Sequence, residues 1–421
     1  MKRIILLALM ASWALASLAQ NMPLRETTPL AGGLQHFNSA QLPDGDVIVY
    51  GGTANFPNAT NATWRYDWET ETWSQLDDMD YPVAQMASAT LSNGNILCIG
   101  GTNDFAGKVQ KSQLFDVNAL TWSESAGDFE FLNPIYSRHS ALTLPADYVL
   151  LTTSNGDFSV YDPSAKTWTN QPSPAPLDAG GSPVVWLDAQ QEVFWTGAGG
   201  QIFQPNNPPT AGNLFYLDPP QLLYNDGVTK LLDGSVLTMN LEFNFDNTVS
   251  LYNPPTRTAG SISTVPFNGG TGTRSAILIP DGRVVTFGFG DITTPGDTKV
   301  VQVYDPAANT WETGAYSEIG PLGTPHLHLL PDSSVFAIST VPVNGAEGMI
   351  NECWIINRDV TVPVVESMGE IKVKLFPNPA TDWLQVEGLE TIDASLTLYL
   401  PDGSKISHWK SLKEKMSLIE L

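Results

Sequence analysis

The chain has 421 residues, a formal net charge of −24 and only 15% charged residues, with 35 glycines and 31 prolines. A surface this acidic repels phosphate backbones and anionic bilayers, so neither nucleic acid nor a membrane surface is an expected partner. Low charge with many turn formers suits short strands joined by tight turns, and no long stretch carries the apolar period of an amphipathic helix.

The chain begins MKRIILLALMASWALASLAQ. Lys2 and Arg3 precede an apolar run from Ile4 to Leu15, and Ser17-Leu18-Ala19 supplies a cleavage site. This is the build of a secretory signal peptide, assigned to residues 1–19. No later apolar run reaches membrane-spanning length, so an integral membrane protein is not expected.

Residues 20–365 repeat one pattern, an apolar strand, a tight turn and a second apolar strand. It reads NSAQLPDGDVIVYGG, SATLSNGNILCIGG, SALTLPADYVLLTTS, PVVWLDAQQEVFWTG, VTKLLDGSVLTMN, SAILIPDGRVVTFG and LHLLPDSSVFAIS. The turns fall at Asp44, Asn93, Ala146, Ala189, Asp233, Asp281 and Asp332, every 43 to 53 residues. Four carry Asp-Gly or Asn-Gly, which predicts two-residue hairpins with positive φ angles in the turn. Several units then place an aromatic residue and Asp seven positions before a Trp: Tyr66 and Trp73, Phe115 and Trp122, Tyr161 and Trp168, Tyr304 and Trp311. Each unit is thus two hairpins, or four strands. Such a sheet has two apolar faces, and stacking sheets around an axis buries both, which predicts an all-β propeller. The Trp residues are expected to fill the wedges between blades. Seven blades are favoured, with six as the alternative if the weak fourth unit is not a full blade. Ring closure is expected to pair a strand near residues 24 to 36 with the last blade.

The Gly51-Gly52 and Gly100-Gly101 pairs, the Tyr-Asp pairs and the spaced Trp residues resemble the kelch repeat. The likeness is strongest in the first two units. Units three, four, five and seven lack the Gly pair, and Ala259 stands at the Trp position of unit five.

After the repeat, residues 366–372 read as a linker and residues 373–421 change style. VKLFPNPATDWLQVEG and SLTLYLPDGSKISHW combine an extended Pro-Asn-Pro turn with alternating strands, which predicts a small antiparallel β domain. Phe376, Pro377, Asn378, Pro379 and Asp382 resemble the opening motif of the C-terminal sorting domain of the type IX secretion system of Bacteroidetes. That resemblance implies export through the periplasm to the cell surface or medium, with the secretion machinery as a partner. The sequence stops at Leu421, about where that family's last strand begins, so the expected sorting domain is incomplete.

Propeller function usually sits on one face, around the channel mouth. The loops expected there carry Phe56, Asn58, Asp104, Phe105, Phe243, Asn244, Asp246 and Asp291, aromatic faces beside amides and carboxylates, a composition suited to glycan or peptide. The approaches to the innermost strands carry His36, Gln85, Arg138, Arg274 and His326 near the channel mouth. His326-x-His328 places two imidazoles on one side of a strand, a metal pair that lacks a third ligand. Asp77, Asp78 and Asp80 form the densest acidic cluster, without the spacing of a calcium loop.

Kelch propellers resembling galactose oxidase imply a copper oxidase as an alternative. That family needs two Tyr, two His and a Cys linked to Tyr; here Tyr136 and His139 are not adjacent and Cys98 lies mid-strand. A sugar mutarotase is a further alternative, with Glu242 or His36 as the acid or base. No metal or other cofactor is expected. Cys98 and Cys353 are expected as buried, unpaired thiols, although an oxidising compartment would permit a bond. The leading expectation is a secreted or surface binding module for glycan or protein.

Overall fold

In the computed structural model the described residues are 24–55, 58–103, 107, 109–126, 140–152, 158–171, 184–196, 200–207, 209, 212–217, 226–239, 248–264, 275–289, 299–317, 325–342 and 349–356, with short strands beyond residue 363. They form seven four-stranded antiparallel sheets. The innermost strands are Asn38–Gln41, Ala87–Thr90, Ser140–Thr143, Val184–Leu187, Asp226–Lys230, Ser275–Leu278 and His326–Leu329. The sevenfold arrangement is the one the turn spacing predicts, and the fourth unit is a full blade.

The N-terminal strand Leu24–Leu30 closes the ring. It pairs antiparallel with Met349–Ile356 as the outermost strand of blade seven. Arg25 forms a two-pronged ion pair with Glu71 of blade one at 2.6 and 2.5 Å, and Thr27 bonds the Tyr66 hydroxyl at 2.7 Å. The buried Asn351 amide accepts the Leu34 N–H at 2.6 Å and donates to the Leu34 carbonyl at 2.8 Å. One strand supplied from the far end of the chain thus locks blade seven to blade one.

The hydrophobic core is divided into seven clusters, one in each seam between neighbouring blades. The recurrent aromatic and Trp are cross-strand partners: Tyr66 faces Trp73, Phe115 faces Trp122, Tyr161 faces Trp168 and Tyr304 faces Trp311. Their ring centroids lie 5.1, 5.1, 5.2 and 5.0 Å apart. Trp122 crosses its seam, reaching Tyr50 of blade one at 5.1 Å and donating from Nε1 to Thr63 Oγ1 at 2.9 Å. The intervening Asp builds the turn, because each carboxylate accepts the N–H groups two and three residues on, as Asp67 does from Glu69 and Thr70. Asp116, Asp162 and Asp305 repeat these bonds.

The first hairpin turns are not the two-residue turns expected: Leu42 N–H donates to the Asp46 carbonyl and Gly45 N–H to the Leu42 carbonyl, so three residues lie between the bonded pair, and the turns at Asn93, Asp233 and Asp281 repeat this. Gly45, Gly94, Gly234 and Gly282 adopt positive φ, but the Asp or Asn before each does not. That side chain accepts the N–H two residues on, as Asp44 does from Asp46 and Asn93 from Asn95, which holds its own backbone at negative φ. The result is a turn with a single left-handed Gly.

Cys98 and Cys353 are buried, free, and sit in different seams. Beyond the propeller, Lys374–Phe376, Trp383–Glu387 and Ile419–Glu420 form one antiparallel sheet, and Ser395–Tyr399 pairs with Lys405–Lys410.

Candidate functional site at the channel

The innermost strands do not pair with one another as a sheet. Side chains lace them instead. Asn38 Nδ2 donates to the Met86 carbonyl at 3.3 Å, and Thr143 Oγ1 donates to the Thr90 carbonyl at 2.7 Å. Gln41 donates to the Leu329 carbonyl and Ser275 to the Pro325 carbonyl. This lacing holds the inner edges in register, so groups on these strands are rigidly placed.

At the inner edge of the seam between blades seven and one, three polar side chains meet. His326 and His328 stand two residues apart on one strand, so both project toward blade one. Ser39 of blade one answers them: its Oγ lies 2.9 Å from His326 Nδ1 and 2.8 Å from His328 Nε2. The Phe37 ring stacks on His326 with centroids 4.7 Å apart and planes at 26°, which fixes that imidazole's orientation. His326 and His328 are half-buried. Desolvation pushes the His326 pKa down to about 4, and desolvation with the neighbouring imidazole pushes His328 to about 3. Both rings are therefore neutral near pH 7.

His36 and Gln85 occupy matching positions on the mouth, before the inner strands of blades one and two. Both have left-handed backbones, with φ of 55° and 58°. The Gln85 N–H donates to the His36 carbonyl at 3.0 Å, tying the two approaches together. His36 is exposed, and the burial it has lowers its pKa. Bridges from Gln35 to Thr53 and from Ala84 to Thr102 put these approaches on the same face as the loops after the second strands. Asn58 is exposed on one such loop, in the short hairpin of Thr53–Asn55 and Asn58–Ala59.

The structure thus brings His326 together with His328, Ser39 and Phe37, and His36 together with Gln85. Phe56, Asp104, Phe105, Arg138, Phe243, Asn244, Asp246, Arg274 and Asp291 lie outside the described residues, as do Glu242 and Pro377, Asn378, Pro379 and Asp382 of the tail motif. Phe376 ends a strand. Ser39 is the participant that sequence reasoning missed. The available signal was ring closure, since a strand near residue 24 joining the last blade sets blade one beside blade seven.

The comparisons agree with this architecture. A kelch-motif model matches residues 38–80, from the inner strand of blade one to the approach of blade two. The first blade is a kelch motif. No curated protein matches the chain. Among solved structures, a fungal alcohol oxidase of the AA5 family in complex with copper is similar, with a TM-score of 0.60 and 13% identity. The match covers 79% of this chain and 75% of that one, and at this identity it establishes the fold alone. Among the described residues no three His, Cys, Asp or Glu side chains converge as a metal site.

Proposed function

We propose that this chain is an exported binding module, a kelch-type propeller that recognises a glycan through its channel mouth and the surrounding loops. The observation that carries the reading is the Ser39-bridged imidazole pair, a neutral, half-buried hydrogen-bonding site at the inner edge of the seam between blades seven and one. Imidazoles whose pKa is pushed down to about 4 and about 3, with no carboxylate bonded to them among the described residues, are weak bases, which favours recognition over turnover. The resemblance of residues 1–19 to a signal peptide, and of the Phe376–Asp382 stretch to a type IX sorting motif, supports export to the surface or medium. The net charge of −24 suits a soluble exported protein and disfavours acidic ligands.

The test is to incubate the full chain with a panel of polysaccharides and oligosaccharides, scoring retention and product by mass spectrometry. Retention of an unchanged ligand supports the module. A new product or an altered anomeric ratio overturns it in favour of an enzyme, and retention of a protein with no glycan bound moves the reading to a protein partner.

A further inference from the structure

A serine hydroxyl has one proton to donate and lone pairs to accept with, whereas a neutral imidazole has one N–H and one bare nitrogen. Ser39 Oγ contacts a nitrogen of each imidazole and has no other hydrogen-bond partner among the described residues, so the arrangement that also uses its proton is reciprocal: it donates to one ring and accepts from the other. Suppose Ser39 donates to His326 Nδ1. Then His326 carries its proton on Nε2, His328 donates from Nε2, and His328 Nδ1 is bare. In the reverse arrangement His326 donates from Nδ1 and has a bare Nε2, while His328 carries its proton on Nδ1. In both cases the two remaining nitrogens, His326 Nε2 and His328 Nδ1, are one donor and one acceptor. In both cases the two rings share the same tautomer.

Neither remaining nitrogen has a hydrogen-bond partner among the described residues, and neither is among the buried unpartnered atoms. Both atoms therefore keep some solvent access. Phe37 fixes the His326 ring, and the lacing by Asn38 and Gln41 fixes the strand that bears Ser39. A desolvated site disfavours ions of either sign. A hydroxyl, itself both donor and acceptor, is the complement of one donor beside one acceptor.

We propose that the Ser39–His326–His328 cluster is a subsite for an uncharged, hydroxyl-bearing ligand, a neutral sugar unit rather than a uronic acid. Its hydroxyls accept from one imidazole and donate to the other. Ser39 is a positioning residue: it sets the tautomers and does not itself touch the ligand. The proposal rests on the glycan reading above and narrows it.

The test is calorimetric titration of the full chain with neutral oligosaccharides of glucose, galactose, mannose and xylose, beside galacturonate and glucuronate oligomers. A neutral oligosaccharide is expected to bind, with the uronates at least tenfold weaker. Ser39→Ala weakens that binding by about tenfold, the equivalent of one lost hydrogen-bond arrangement, and Ser39→Thr largely restores it. Thermal unfolding of each variant separates loss of the site from loss of the fold. A neutral ligand whose affinity is unchanged in Ser39→Ala and in the His326→Gln, His328→Gln double variant overturns this inference and leaves the binding-module reading standing. Absence of binding to every sugar overturns both. Preference for uronates, or stoichiometric zinc binding lost in the double variant, overturns the neutral subsite alone.

Discussion

Replacing Asn351 by alanine tests how the ring is closed. The Asn351 side chain is fully buried and holds the Leu34 N–H at 2.6 Å and the Leu34 carbonyl at 2.8 Å. Thr340 Oγ1 also donates to that carbonyl at 2.6 Å, so alanine leaves the carbonyl satisfied and orphans the N–H. Leu34 is only 4% exposed, so water does not readily replace the lost acceptor. One orphaned buried donor costs about 1–3 kcal/mol, and the small void adds roughly another 1 kcal/mol, for a total of about 2–4 kcal/mol. The comparison is Arg25→Ala, which removes an exposed tie between the N-terminal segment and blade one. That ion pair is well aligned, but its side chains are 47% and 31% exposed. Its loss costs about 0–1 kcal/mol. Urea unfolding of both full-length variants, followed by tryptophan fluorescence, ranks the two. If Asn351→Ala costs no more than Arg25→Ala, the buried amide is not what fastens the closing segment, and the reasoning fails.

Trp122→Phe removes the Nε1 bond to the fully buried Thr63 hydroxyl, and a loss of about 2–3 kcal/mol in the same assay is expected. Gly101 has a φ of +99°, and a Cβ there would lie 2.4 Å from the Ala84 carbonyl oxygen. Gly101→Ala is therefore expected to lower the unfolding midpoint sharply, while Gly234→Ala, whose Cβ meets nothing within 4 Å, carries only the backbone strain of its positive φ. His326 and His328 have folded pKa values of about 4 and about 3, below the ordinary imidazole value of 6.5. The unfolded chain then binds more protons, so their contribution is fully present above pH 6.5 and is lost as the pH falls. Between pH 6.5 and 5 each ring contributes at most about 1.4 kcal/mol per pH unit, less because both touch solvent, and the slope should flatten in the His326→Gln, His328→Gln variant. Burial raises the pKa of both thiols, so Cys98 and Cys353 should react with a thiol reagent only as fast as the chain unfolds.

The propeller was legible in the sequence because each blade repeats residues with local tasks. Asp44, Asn93, Asp233 and Asp281 cap turns that also need the following Gly, and Tyr66, Phe115, Tyr161 and Tyr304 stand opposite a Trp. These are short-range requirements, so they leave a periodic trace. Even there, the expectation of positive φ at both turn residues overlooked the hydrogen bond each Asp or Asn side chain makes to the backbone. The channel cluster left a weaker trace. His326-x-His328 was visible as a pair on one side of a strand. Nothing local marks Ser39, 287 and 289 residues away from them in sequence, as their partner. Asn351 is likewise an ordinary strand residue until the ring closes and brings Leu34 against it.

The most direct test of the channel account is a long-range proton–nitrogen NMR spectrum of the full chain labelled at histidine, recorded at pH 6 with and without a neutral oligosaccharide. The account predicts that His326 and His328 are both neutral, share one tautomer, and shift at His326 Nε2 and His328 Nδ1 when the sugar binds. A charged imidazole in either position, opposite tautomers in the two rings, or bound sugar that leaves both unmoved would contradict it.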